Sequence, residues 1–160
     1  MSSAVVDDLS PKLVVPDGFE SRLATKEDLL QAATAEYEMT PEFVESALGK
    51  GGNCLALFDR GRLASFGWYS NKPNRSSAGL VLHFDPSWVH MYKGFTHPDY
   101  RGKRLHGIGM TQAVRDCAAQ GYQGLISYVN SSNFQSLRSV KRMGYRVFGD
   151  ISWCVPWVAA

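Results

Sequence analysis

The sequence predicts an α/β fold built on a mixed sheet, and three observations carry that expectation. Residues 88–96, rich in aromatic and β-branched side chains, run into a basic glycine-containing loop, then a helical pattern over 104–120, then an apolar stretch at 124–129. That succession is one strand–helix–strand unit, which pairs its strands in parallel. Residues 54–58 and 63–69 are strand-like runs joined across Asp59, Arg60 and Gly61, a hairpin that adds an antiparallel pair. Two capped helical patterns stand ahead of them.

Taken in order, residues 1–16 carry serine, aspartate and two prolines without a sustained period and read as a mobile leader, with a single domain over 17–160. Residues 19–24 alternate like an edge strand. Thr25 to Asp28 is a capping start for a helix carrying Leu29, Leu30, Ala33 and Tyr37. Thr40 and Pro41 open a second helix with Phe43, Val44 and Leu48 as its apolar set, closed by Gly51 and Gly52. After the hairpin, 71–77 is a polar loop and 80–84 a further strand. The helix at 104–120 has Leu105, Ile108, Ala113, Cys117 and Ala118 on one stripe and ends at Gly121. A second, shorter helix follows Asn133, with Phe134, Leu137, Val140 and Met143 as its stripe and Gly144 as its stop. Segments 146–148 and 152–155 are expected to finish the sheet.

Composition narrows the function classes. Seventeen Lys and Arg against 15 Asp and Glu leave a net charge of +2, too balanced for a general nucleic-acid binder. Cys54, Cys117 and Cys154 are odd in number and widely spaced, which indicates neither a disulfide framework nor a zinc site. His83, His97 and His106 do not form a metal constellation by spacing. No apolar run approaches the roughly 18 residues of a spanning helix, so no membrane contact and a cytoplasmic location are expected.

The charge is informative where it clusters. Arg101, Lys103 and Arg104 flank the start of the longest helix, whose unpaired N–H groups and dipole favour a polyanion such as a phosphate group. With a strand leading into this loop and the Asn130 to Tyr145 segment following, the chain resembles the Gcn5-related N-acetyltransferases (GNAT) over roughly residues 18–150. The family motif, Arg/Gln-x-x-Gly-x-Gly/Ala, fits in two registers. Arg104 to Gly109 matches the glycines literally; Pro98 to Lys103 matches the proline–tyrosine–arginine–glycine spacing, places Arg104 and His106 at glycine positions, and is favoured because it keeps the distance from the strand.

The resemblance implies a central mixed sheet of about six to seven strands with helices on both faces. It also implies acyl transfer from an acyl-CoA, first of all acetyl-CoA, to a primary amine by direct attack in a ternary complex. The acceptor would be a small-molecule amine or a peptide or protein amine, with no metal, and a homodimer is compatible with it. Cofactor-binding positions carried over are Gly94, Phe95, Thr96, Arg101, Gly102, Lys103, Arg104, Leu105, His106, Gly107, Asn133 and Ser136.

His90 and Tyr92 fall where the family places residues that accept the amine's proton, and histidine titrates in the right range. A satisfied core histidine is the alternative. On an unbroken strand His90, Tyr92 and Gly94 share one face, and Gly94 is expected to be a bulge that opens a cleft. Val140 stands where many relatives have a tyrosine that protonates the leaving thiolate, leaving Ser136, Ser139 or water for that step. A non-catalytic acyl-CoA-binding module, or a longer acyl donor, are the competing readings.

Overall fold

The computed structural model describes residues 2–4, 14–75 and 81–152. Its main sheet has seven strands, β1 (Ser2–Ala4), β2 (Phe19–Leu23), β3 (Asn53–Asp59), β4 (Arg62–Ser70), β7 (Trp88–Thr96), β8 (Gly124–Ser127) and β9 (Arg146–Val147), in the order β2-β3-β4-β7-β8-β1-β9. A small hairpin of β5 (Asn74–Arg75) and β6 (Val81–Leu82) stands apart. The pair β7–β8 is parallel; the other pairs are antiparallel.

Helices cover both faces. On one side lie α1 (Lys26–Gln31), a 3-10 turn at Ala35–Tyr37 and α2 (Pro41–Gly49); on the other lie α3 (Leu105–Ala119) and α4 (Phe134–Arg142). The start of α1 is a capping box, with Asp28 N–H donating to Thr25 Oγ1 (3.2 Å) and Thr25 N–H to Asp28 Oδ2 (2.8 Å). Thr40 Oγ1 caps α2 by accepting from Phe43 N–H at 3.2 Å. Each helix covers its own part of the core. Leu29, Val44, Phe66 and Trp68 pack under α1 and α2, whereas Val89, Met110, Val114 and Leu125 pack under α3.

A third, smaller cluster sets the site. Leu57 and Ala64 of the hairpin bury Tyr100, Leu105 and Ile108, so the loop before α3 and its first turn are nailed to the sheet. Burial of a side chain of this size contributes about 1.5–3 kcal/mol. The Tyr100 hydroxyl also donates to Asp59 Oδ2 at 3.1 Å.

Several expectations change. Ser2–Ala4 is not part of a free leader but a strand between β8 and β9, held by main-chain pairing that needs no side-chain pattern. The first helix stops at Gln31; Thr34 is extended and Tyr37 belongs to the separate 3-10 turn. Of the strand expected at 80–84, residue 80 lies outside the described residues, and of the rest Val81 and Leu82 are paired, with β5 rather than the main sheet. Strand β8 ends at Ser127, two residues short of the expected 129, and β9 at Val147. Phe134, expected in the stripe of α4, is 67% exposed, while Val140 and Met143 are buried. The strand expected at 152–155 falls largely outside the described residues. No helix among the described residues is long and apolar enough to cross a membrane.

Candidate active site

The parallel pair β7–β8 is in register from Trp88↔Gly124 to His90↔Ile126, and then the strands part. Strand β8 ends while β7 runs on to Thr96. Between them opens a cleft of about 330 Å³ whose walls include Met91, Gly94, His106, Tyr128, Asn133 and Ser136. His97 N–H donates to Ala64 O (3.0 Å) and Ser65 Oγ to Phe95 O (3.0 Å), so these residues face β4. Alternation then turns the amides of Gly94 and Thr96 toward the open edge. Phe95 differs: its ring stacks on Phe66 and packs in the core, leaving its neighbours as the edge donors.

The expected bulge is displaced. Trp68 pairs with Lys93 and Tyr69 with Met91, which leaves Tyr92, not Gly94, as the extra residue. One inserted residue shifts the side-chain alternation, so His90, Tyr92 and Gly94 do not share a face. Tyr92 packs toward α2, whereas Gly94 lies against His106 of α3: a Cβ on Gly94 would sit 2.5 Å from His106 Cε1. Any side chain there would have to displace the His106 ring and the Met91 methyl.

Past the end of β7, His97 Nδ1 accepts from Asp99 N–H (3.2 Å) and caps a 3-10 turn at Pro98–Tyr100. Its Nε2–H is held by Glu36 Oε1, and Arg62 bridges to Asp99 at 2.9 Å. Gly102 (φ +82°) and Arg104 (φ +60°) turn the chain into α3, where Ile108 N–H to Arg104 O is the first helical bond. No side chain caps this helix. The amides of Leu105, His106 and Gly107 are therefore unpaired within the helix and available to an anion.

Gly107 lies in the first turn of α3 and Gly109 within the helix, with Leu57 Cδ1 3.1 Å from where a Gly109 Cβ would be, while Pro98 to Lys103 form the 3-10 turn and loop ahead of it. Arg104 occupies a left-handed position that suits glycine. Arg101 Nε donates to Thr96 O (3.3 Å) beside the cleft, whereas Lys103 Nζ lies over the rings of Phe19 and Tyr100 (5.6 and 5.3 Å). Asn133 Oδ1 accepts from Ser136 N–H (3.1 Å), so its oxygen caps α4 while the residue lines the cleft.

A second cavity, about 400 Å³, lies on the α2 side and is walled by Phe43, Lys50, Gly52, Ser70, Asn74 and Tyr92, among others. Tyr92 and Lys93 line both spaces, so the bulge is the wall they share. His90 sits behind this wall, fully buried, with its ring 6.2 Å from that of Tyr92. Its Nδ1–H donates to Asn74 Oδ1 at 2.8 Å, which leaves the lone pair on Nε2, buried and without a hydrogen-bond partner among the described residues. Burial pulls the His90 pKa down to about 4 and raises that of the Tyr92 phenol, so both are neutral at pH 7. Desolvation also lowers His106.

Sequence reasoning missed Asn74, Lys93, Met91 and Tyr128. Asn74 was hidden in a polar loop, and the other three carried no local signal of facing a cavity. Among the described residues no group of three or more His, Cys, Asp or Glu could hold a metal ion.

A parallel strand pair that parts halfway, with an uncapped helix N-terminus beside the gap and a second cavity sharing its Tyr92–Lys93 wall, defines an acyl-CoA-dependent acyltransferase. The chain belongs to the acetyltransferase (GNAT) family, whose sequence model matches residues 22–145, and it is an N-acetyltransferase by class. The fold is shared with an N-acetyltransferase from Staphylococcus aureus Mu50, at 16% identity and TM-score 0.61 over 82% of this chain and 85% of that one. It is shared too with an aminoglycoside N-acetyltransferase, AAC(6')-Iy, solved with a bisubstrate analogue (13%, TM-score 0.67, 88% and 99%). A putative acetyltransferase from Salmonella typhimurium with its cofactor acetyl-CoA matches at 15% and TM-score 0.60 over 83% and 82%. No curated protein matches in sequence.

Proposed function

We propose that the protein transfers an acetyl group from acetyl-CoA to a primary amine by direct attack within a ternary complex. The observation that carries this reading is the pair Tyr92 and Lys93, which lines both the cleft and the α2-side cavity and so sets the two spaces side by side. Two substrates held in those spaces meet without an acyl-enzyme, and bringing them together supplies much of the rate. That solved proteins of the same fold were crystallised with acetyl-CoA or a CoA-linked analogue supports acetyl-CoA as the donor.

The residues present fit that donor. Acetyl-CoA supplies an electrophilic thioester on a diphosphate-bearing carrier. The uncapped first turn of α3, with Arg101 beside it, holds a diphosphate by main-chain N–H groups and charge. The edge amides of Gly94 and Thr96 bind the arm and donate toward carbonyl oxygen. The substrate-side task is loss of a proton from the ammonium. His90 Nε2, unprotonated and buried behind Tyr92, is assigned as the acceptor, reached through water. Its low basicity makes it an acceptor in a relay rather than a strong base. Ser136 and Ser139 line the cleft beside Val140 and supply hydroxyls for the leaving sulfur.

Free-thiol release from acetyl-CoA, followed with a panel of small amines and peptides, tests the proposal. Turnover is expected with at least one small amine, and Gly94→Leu is expected to raise the KM for acetyl-CoA by about tenfold or more, since the added side chain must displace His106. Saturable binding of acetyl-CoA with no thiol release for any acceptor would overturn it.

A further inference from the structure

We propose that the acceptor carries an anionic group, in the first instance a carboxylate, beside the amine that is acetylated. The inference rests on the acetyl-transfer reading and names the substrate class of the α2-side cavity. Lys50 and Lys93 line that cavity, and the residues lining it include no aspartate or glutamate. Neither lysine makes an ion pair among the described residues, whereas Lys26 pairs with Glu45 at 2.7 Å and Arg62 with Asp99 at 2.9 Å.

Complementing the carbonyl end of α2 would account for Lys50, its C-cap residue. It does not account for Lys93, which comes from β7 and reaches over the Phe43 ring at 5.5 Å, at the opposite end of the helix. Two ammonium groups from separate segments thus line one concave space. An amine that arrives protonated meets like charge there, so a purely cationic substrate is disfavoured and one bearing its own anion is selected. The remaining walls, Phe43, Ala47, Pro73 and Tyr92, suit an apolar or aromatic body between the two groups.

Matched pairs separate the possibilities: phenylalanine against phenethylamine, tryptophan against tryptamine, with spermidine as a polycationic control, each assayed by thiol release from acetyl-CoA. The carboxylate member of each pair is expected to have the higher kcat/KM by about tenfold or more, as a charge-assisted contact gives. Lys50→Glu is expected to erase or invert that preference while acetyl-CoA still raises the melting temperature as in wild type, which shows the variant folded and its donor cleft intact. Preference for the uncharged-tail amines or spermidine, or an unchanged ratio in Lys50→Glu and Lys93→Met alike, would overturn the acceptor class and leave acetyl transfer standing. Absence of thiol release with every amine would sink both.

Discussion

His90 is the residue whose chemistry depends most on its surroundings. In water its imidazole would be half-protonated near pH 6.5; buried, with Nδ1–H committed to Asn74, it stays neutral down to about pH 4. The sign of the stability effect follows. Between those pH values the unfolded chain binds a proton that the folded protein does not, so acidification favours unfolding through this group, and the loss is complete below about 4. The gap between 6.5 and about 4 corresponds to roughly 3 kcal/mol. His90→Gln, which keeps an N–H donor for Asn74 and does not titrate, should remove that dependence. Urea denaturation at stepped pH is the measurement: the stability difference between wild type and variant should move in the variant's favour on going from pH 7 to pH 4. Parallel curves would mean that the imidazole is hydrated in solution.

At the scale of elements, the entry to α3 combines two demands that oppose each other. The loop must turn through a left-handed residue to aim the first amides outward, and this chain puts an arginine there. A side chain in that conformation costs about 1–2 kcal/mol that glycine avoids, against which glycine loses more entropy on folding. Arg104→Gly should therefore raise the urea midpoint by an amount equivalent to about 0.5–1 kcal/mol, and Arg104→Ala should not. Equal effects of the two substitutions would show that the left-handed geometry is not costly here. This helix was legible in the sequence because its apolar spacing and its glycine stop are local, as were the threonine caps of α1 and α2. The bulge at Tyr92 was not, since it is set by how β7 registers against Trp68 and Tyr69, and Gly94 drew attention as the only glycine of the strand. Strand β1 was equally silent: a backbone-paired Ser-Ser-Ala segment has no hydrophobic alternation to betray it. The meeting of Lys50 and Lys93 joins segments far apart in the chain, and only folding brings them to one cavity.

For the whole molecule, the parted sheet means that the donor is a structural wedge as well as a substrate. The cluster of Leu57, Ala64, Tyr100, Leu105 and Ile108 ties the hairpin to the anion loop, and β7 carries that rigidity to the wall shared by the two cavities. A ligand that binds only this folded arrangement stabilises it by mass action, about 2.7 kcal/mol at one hundred times its Kd. For a chain of this length that is an upshift in melting temperature of roughly 5–10 °C. The part of the affinity that comes from the diphosphate acts through exposed charge and should be screened, so the upshift should shrink as salt rises from about 0.05 to 0.5 M. Arg101→Gln, which removes the cation beside the Gly94–Thr96 edge, should lower the upshift at low salt and flatten its salt dependence. Lys103→Gln should do less, because Lys103 is spent over the rings of Phe19 and Tyr100. Thermal denaturation with and without acetyl-CoA across this salt range reads all of these at once, and an upshift indifferent to both salt and Arg101 would place the carrier's diphosphate somewhere other than the entry to α3.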